Sequence, residues 1–371
     1  MKKIVKRVSA AVVALAVVLT VVVFDVPGMT AAAANSGTCG ADLTWTLDDN
    51  GTLTISGSGR MTGYGSTTSS KSPWKDSSEI TSIVIENGVT SIGDRVFYNV
   101  VNLSSVTIAD SVTQISQMAF IDCKKLEEIT IPDSVTYIQN EVFRNCSNLR
   151  KITLPKNLSF ISYYTFYGCT ALESIIIPDS VTSIGNSAFE GCTSLKSITV
   201  PNSVTTIGKS AFEGCVKLSG KIEIPSTVTS IGKMAFQDCG GLTEVTVGGK
   251  TPPELGTDAF KNTGVTAIYV PCGAVDAYKN AENWSAYADI ITNDGHKVDI
   301  HIAAKDATCT EAGNIEYWTC GCGEKKYSGA DGMTVITDVS GDPALGHSWS
   351  DSSQARNCNF QREAHLGGFD R

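Results

Sequence analysis

The sequence is poor in the residues on which most enzymes and nucleic-acid-binding proteins depend. Only four histidines occur in 371 residues, and the stretch 97–295 has none. No P-loop, zinc-protease or nucleophile-elbow motif is present. Aspartate and glutamate (38) outnumber lysine and arginine (29), and the resulting net charge of −9 argues against a nucleic-acid-binding surface, which needs a basic face. The sequence therefore predicts a protein that is neither an enzyme nor a nucleic-acid-binding protein.

Long apolar runs are scarce as well, and the one that exists lies near the N-terminus. A basic start, Lys2 to Arg7, precedes the apolar run Val8 to Phe24, and the small residues Ala32 and Ala34 follow it. This order is typical of a secretory signal peptide over residues 1–34. An uncleaved membrane anchor is the alternative, because 17 residues can just cross a thin bilayer. We expect a secreted or cell-surface protein with no membrane span after cleavage.

A period of 23 residues dominates the middle of the chain. Within each unit, Leu-x-x-Ile-x-Ile is apolar at alternate positions, which favours a short strand with one buried face, and a proline usually ends it. One unit cannot bury its own apolar face, whereas stacked units form a continuous core. We therefore predict an α/β-type repeat solenoid of about eight units over 80–267, with short parallel strands forming one sheet on its concave side. The phenylalanine column predicted for the core is Phe97, Phe120, Phe143, Phe166, Phe189, Phe212, Phe236 and Phe260.

A column of cysteines follows the phenylalanine column at a distance of three residues. Buried free thiols are the favoured interpretation, because a thiol is small and apolar enough for a core position. A ladder of disulfides would need Cα atoms within about 7 Å of each other, and a metal site would need histidine or acidic ligands nearby. The members of the column are Cys123, Cys146, Cys169, Cys192, Cys215 and Cys239.

Both ends of the solenoid need a cap. Residues 35–79 alternate apolar and polar positions around Asp49-Asn50-Gly51, which predicts a β-hairpin with Trp45 and Trp74 as packing anchors. Residues 268–293 keep the strand and its proline and then change to a spacing of three to four, which predicts a helical cap.

Two consecutive units show a family resemblance. The segments LESIIIPDSVTSIGNSAFEGCTS (172–194) and LKSITVPNSVTTIGKSAFEGCVK (195–217) resemble the BspA-like leucine-rich repeats of bacterial secreted and cell-surface proteins. The resemblance implies a right-handed solenoid with a role in adhesion or protein binding and with no catalytic residues.

The last part of the chain loses the repeat period. Residues 296–350 resemble a small Cys/His module that follows such repeats in secreted bacterial proteins, and the tail 351–371 is predicted to be disordered. A zinc site is one interpretation, and zinc is the only cofactor predicted. A disulfide such as Cys309–Cys320 is the alternative. The four zinc-ligand candidates are Cys309, Cys320, Cys322 and His347.

Two groups of residues are candidates for ligand binding. Exposed strand positions on the concave face form the first group, which consists of Glu128, Thr130, Lys151 and Thr153. Aromatic residues that replace small residues of the repeat form the second, which consists of Phe160, Tyr163, Tyr164 and Tyr167. We predict a monomeric, non-enzymatic, adhesin-like protein that binds an extracellular protein or glycan. The alternative is the accessory repeat region of a larger secreted enzyme.

Overall fold

The computed structural model describes residues 35–65, 71–293, 298–305, 314–320, 326–327 and 335–336. Within them the chain forms a parallel β-solenoid whose coils repeat at about 23 residues, as predicted. A typical coil contains a first strand, a second strand and a turn that carries the phenylalanine, which we call the Phe turn. The predicted signal peptide (1–34) and tail (351–371) lie outside the described residues.

Strands at three kinds of position build the solenoid. The N-terminal strands are β1 (Ser36–Thr38), β2 (Asp42–Leu47) and β3 (Thr52–Arg60). The first strands of the coils are β4 (Ser82–Ile85), β6 (Ser105–Ile108), β8 (Glu128–Thr130), β10 (Lys151–Thr153), β14 (Gly220–Ile224), β16 (Leu242–Val247) and β18 (Ala267–Val270). The second strands are β5 (Val89–Ile92), β7 (Gln114–Ile115), β9 (Tyr137–Ile138), β11 (Phe160–Ile161), β12 (Ser183–Ile184), β13 (Thr206–Ile207), β15 (Ser230–Ile231) and β17 (Glu254–Leu255).

The first strands do not form one unbroken sheet, which corrects the sequence-based expectation. β4, β6, β8 and β10 pair in order, and β14, β16 and β18 pair in a separate sheet. In the two coils between them, residues 174–177 and 197–200 are not strands. Ile175 and Ile177 are nevertheless buried. Where the hydrogen bonds between first strands are missing, apolar packing, the pairing of β12 with β13 and the hydrogen bonds of the Phe turns hold these coils together.

The core is a ladder of stacked aromatic rings, one from each coil. Phe143 is completely buried, and its ring centroid lies 5.7 Å from that of Phe120 and 5.8 Å from that of Phe166. Interplanar angles of 3° and 2° make these rings nearly parallel. Each ring stacks only on the rings of the adjacent coils, so the hydrophobic core is continuous along the axis of the solenoid.

The Phe turns form a third contact line between coils. In the turn around Phe143, Glu141 (φ 61°) and Asn145 (φ 60°) both have left-handed backbone conformations. This alternation points the N–H groups of 141, 143 and 145 at carbonyl oxygens of the next coil, at 2.7 to 3.0 Å. The positions two residues after each phenylalanine hold only Asn, Asp or Gly, the residue types that tolerate this conformation. They are Asn99, Asp122, Asn145, Gly168, Gly191, Gly214, Asp238 and Asn262.

The N-terminal cap is the predicted hairpin. β2 and β3 are antiparallel, and β3 pairs in parallel with β4 through its first half and with β5 through its end. β3 is therefore the starting strand both for the ladder of first strands and for the ladder of second strands. Trp74 stacks on Phe97 at 5.4 Å and meets Trp45 edge-on at 5.7 Å, which closes this end of the aromatic ladder.

The C-terminal cap is helical, also as predicted. Helix α1 (Val275–Asn280), a 3₁₀ helix (Trp284–Ile290) and strand β19 (Ile291–Asn293) follow β18. Trp284 is completely buried, 6.3 Å from the ring of Phe260, and its indole N–H donates to the carbonyl oxygen of Pro253 at 2.8 Å. Trp284 therefore covers the ring of Phe260, the last of the phenylalanine column, and its own indole N–H is hydrogen-bonded.

A small antiparallel sheet lies beyond the cap. Its strands are β20 (Val298–Ile302), β21 (Tyr317–Cys320), β22 (Lys326–Tyr327) and β23 (Val335–Ile336), paired in chain order. The change from parallel to antiparallel pairing agrees with the loss of the repeat period in this part of the sequence.

Candidate functional site

The first candidate group lies on the exposed side of β8 and β10. β8 and β10 pair in register, so that Lys151 stands opposite Glu128 and Thr153 opposite Thr130. All four side chains are exposed. The next coil contributes Ile176, which is 86% exposed. This face is consequently a polar array with one exposed aliphatic side chain on it.

The second candidate group lies elsewhere on the coil, on its second strand and Phe turn. Phe160 is in β11, and its ring meets that of Tyr137 in β9 at 5.5 Å and an interplanar angle of 70°. Tyr163 is 52% exposed and Tyr164 is 38% exposed. We call the five rings of Tyr137, Phe160, Tyr163, Tyr164 and Tyr167 the aromatic cluster.

An arginine completes the Phe-turn part of the aromatic cluster. Arg144 lies over the ring of Tyr167, 5.1 Å from its centroid, and over that of Tyr164 at 5.8 Å. Its guanidinium also donates to Glu141 at 2.6 Å, and this hydrogen bond is the main reason that the pKa of Arg144 is raised. Arg144 is thereby held in place against two tyrosine faces, a favourable cation–π arrangement.

The structure does not bring the two candidate groups together. The first group faces outward from the first strands, whereas the aromatic cluster follows the chain around the coil to the Phe turn. The second-strand ladder is also interrupted between β9 and β11, at the position where Tyr137 and Phe160 pack together. The two groups are therefore separate candidate surfaces.

The cysteine column lies in the core and consists of free thiols. Each thiol donates to the carbonyl oxygen of the phenylalanine in the preceding coil, as Cys146 does to Phe120 at 3.2 Å. Burial raises the pKa of Cys123 to about 12. Phe120 already accepts the backbone N–H of Cys123 within its own turn, so the thiol of the next coil is a second donor to the same carbonyl oxygen, a role that the sequence analysis did not predict. The six thiols are Cys123, Cys146, Cys169, Cys192, Cys215 and Cys239.

A basic cavity between the N-terminal cap and the first two Phe turns was missed at the sequence level. It has a volume of about 340 Å³. Its charged lining residues are all cationic, and the uncharged ones include two tyrosines and two large apolar side chains. The lining residues are Tyr64, Gly65, Lys71, Ser72, Lys75, Arg95, Tyr98, Met118 and Ile121. They are up to 57 positions apart in the sequence, and the parallel pairing of β3 with β5 and of β5 with β7 brings them together.

The predicted zinc ligands fall mostly outside the described residues. This holds for Cys309, Cys322 and His347, and for Cys320 only its place in β21 is described. Within the described part of the chain, no three His, Cys, Asp or Glu side chains gather as a metal site would require. Both the zinc site and the Cys309–Cys320 pairing stay predictions. Cys272 in the C-terminal cap is disulfide-bonded, which the sequence analysis did not anticipate.

Comparisons with known proteins identify the repeats. The family profile of the BspA type leucine rich repeat region matches residues 68–181 and 159–283, in six copies. No curated protein matches the chain. No helix among the described residues is both long and apolar enough to cross a membrane.

Several solved structures are similar to this chain. A leucine-rich repeat protein from Eubacterium ventriosum is 27% identical to this chain. The alignment covers 64% of this chain and 79% of the Eubacterium chain, with a TM-score of 0.35. A leucine rich cell surface protein from Faecalibacterium prausnitzii is 27% identical over 64% of this chain and 77% of its own, with a TM-score of 0.42. A leucine-rich repeat protein from Bacteroides ovatus is 24% identical over 62% and 70%, with a TM-score of 0.44.

Proposed function

The chain belongs to the BspA-type leucine-rich repeat family, and from this premise we propose that it is a non-catalytic, adhesin-like protein, secreted or held at the cell surface, that binds an extracellular protein. The family supports a binding role, and the signal-peptide pattern at 1–34 supports export. The contact surface that we propose is the aromatic cluster together with Arg144.

The exposure of aromatic rings carries this proposal. Tyrosine and arginine are enriched among the residues that dominate protein–protein binding energy, because they combine a large apolar area with polar atoms. Tyr163 and Tyr164 expose about half and more than a third of their surface, respectively. The ring of Tyr167 stays beside Arg144, which leaves a rigid anchor rather than a loose side chain.

The neighbouring coils show that the solenoid does not need these rings. One coil further along, Asn186 takes the place of Tyr163, Ser187 that of Tyr164, and Glu190 that of Tyr167. Ser187 has a φ of 53°, close to the 56° of Tyr164, so the backbone at that place is the same with a small residue. Packing therefore does not require aromatic residues here, which supports a role for them in contacting a partner.

The proposal is tested with a double variant that copies the neighbouring coil, Tyr163→Asn with Tyr164→Ser. The full-length chain is immobilised, proteins retained from an extracellular-matrix extract are identified, and the dissociation constant is measured with the purified partner. The matched control is a double variant in the other candidate group, on the first strands, in which Thr130→Ala is combined with Thr153→Ala.

We expect the double variant to weaken binding about thirtyfold, as for the loss of one dominant contact. The threonine control is expected to bind as the unchanged chain does. A double variant with unchanged affinity contradicts the aromatic contact. A threonine control that loses as much affinity moves the site to the face of the first strands.

A further inference from the structure

The basic cavity is cationic in a chain that is acidic overall. Lys71, Lys75 and Arg95 line it, and no aspartate or glutamate does. Lys75 forms an ion pair with Asp76 and lies 5.0 Å from the ring centroid of Tyr98. Among the residues described, no carboxylate lies within ion-pair distance of Lys71 or Arg95. Arg95 therefore faces the cavity without a counter-charge from these residues, whereas Lys71 interacts electrostatically with Asp76 without an ion pair.

The cavity also has an apolar side. Met118 and Ile121 come from the second Phe turn, while Tyr64 and Tyr98 line the cavity from the cap and from the first Phe turn. The volume of about 340 Å³ is at the low end for ligand pockets, which suits a ligand of one ring rather than a longer chain. A small anion without a ring would leave these four side chains unused.

We propose that this basic cavity binds a cyclic carboxylate, that is, a small molecule with one carboxylate attached to a six-membered ring. The planar guanidinium of Arg95 matches a carboxylate with two parallel hydrogen bonds, and Lys71 adds a point charge. The tyrosine rings receive the flat face of the ligand. Such a ligand is either a sugar acid or an aromatic acid, and it binds independently of the protein contact at the aromatic cluster.

The backbone around Arg95 is suited to a conservative test. Arg95 has a φ of 51°, and Met118 holds the same place in the next coil with a φ of 57°. The substitution Arg95→Met therefore removes the guanidinium and keeps both the chain length and a side-chain type that the position accepts. Lys71→Gln, at an exposed residue, is a second variant whose folding is not at risk. Lys124→Gln removes an exposed cation that does not line the cavity and is the matched control.

The experiment titrates the full-length chain with glucuronate, benzoate, glucose and inorganic phosphate by isothermal calorimetry. We expect glucuronate, benzoate or both to bind at least tenfold more tightly than glucose and inorganic phosphate. Binding of one carboxylate alone identifies the ligand as the sugar acid or the aromatic acid. Arg95→Met and Lys71→Gln are each expected to weaken the binding at least tenfold, and Lys124→Gln to leave it unchanged.

Three results overturn the proposal. Neither carboxylate binds, or inorganic phosphate binds as tightly as the carboxylates, or neither Arg95→Met nor Lys71→Gln weakens the binding. The aromatic cluster is intact in all three variants, so a failure here leaves the proposed protein contact untouched.

Discussion

Replacing Phe143 by alanine tests whether stacked rings hold the solenoid together. Phe143 is completely buried, and its ring lies between those of Phe120 and Phe166 at 5.7 and 5.8 Å. The substitution removes one rung from the middle of the aromatic ladder. It leaves the backbone carbonyl of residue 143 available to the Cys169 thiol, which donates to it at 3.1 Å. The change therefore affects ring packing and not the hydrogen bond beside it.

The expected cost is about 4 kcal/mol of the free energy of unfolding. Truncation of a buried phenylalanine to alanine costs about 3–5 kcal/mol, because apolar area is lost and a cavity remains. Two lost ring–ring contacts of about 0.5–1.5 kcal/mol each fall within that range. The matched control is Phe160→Ala in the next coil, where the ring is only partly buried and its ring–ring contact among the described residues is with Tyr137. Its expected cost is about 1 kcal/mol.

Urea unfolding of the full-length chain, followed by far-ultraviolet circular dichroism, measures both costs. The Phe143→Ala transition is expected at a clearly lower urea concentration than that of the control. A loss below about 1 kcal/mol for Phe143→Ala, or an equal loss for the two variants, would refute the view that the aromatic ladder carries the stability of the coils.

Two further predictions concern buried thiols and the glycines of the coils. Burial raises the pKa of Cys39 to about 11 and that of Cys123 to about 12, above the ordinary 9.0 of the unfolded chain. The stability from these neutral thiols is thus complete below pH 9 and is lost as the pH rises toward 12, by about 1.4 kcal/mol per pH unit and thiol. Urea midpoints between pH 8 and 11 are expected to fall less steeply in Cys123→Ala, and an identical slope contradicts the prediction. Gly191→Ala should lower the free energy of unfolding by about 1 kcal/mol, because the φ of 73° is left-handed although an added Cβ has room. Gly191→Asn should lower it by less, because asparagine tolerates the left-handed conformation. Gly232→Ala should cost more than either, because its Cβ would lie 2.4 Å from the backbone nitrogen of Lys209, and equal thermal midpoints for the two alanine variants count against this reasoning.

The repeat period made the coil predictable. Position in the period decides whether a side chain points inward, so the buried places of Phe143 and Cys146 follow from counting along the sequence. The same counting marks Tyr163 and Tyr164 as departures from the repeat at exposed places, where the structure has them. Periodic packing is local and each coil meets only its neighbours, so one coil predicts the next.

Contacts outside the period were not predictable in this way. The apolar columns of the repeat continue through the breaks in both strand ladders, so the period did not predict where the ladders stop. The disulfide of Cys272 lies outside the cysteine column, so the period offered no sign of it. The hydrogen bonds from thiols to phenylalanine carbonyls depend on left-handed residues whose sequence signal, a column of Asn, Asp and Gly, becomes meaningful once the Phe turn is seen.

By itself the sequence determined the solenoid, its two caps and the inward-facing columns, because a regular spacing of apolar residues permits few ways to bury them. Only the tertiary structure decided which residues lie together on one surface. It separated the face of the first strands from the aromatic cluster, and it assembled the basic cavity from the cap and two Phe turns. These groups lie far apart in the sequence, and the path of the backbone alone determines whether such residues meet.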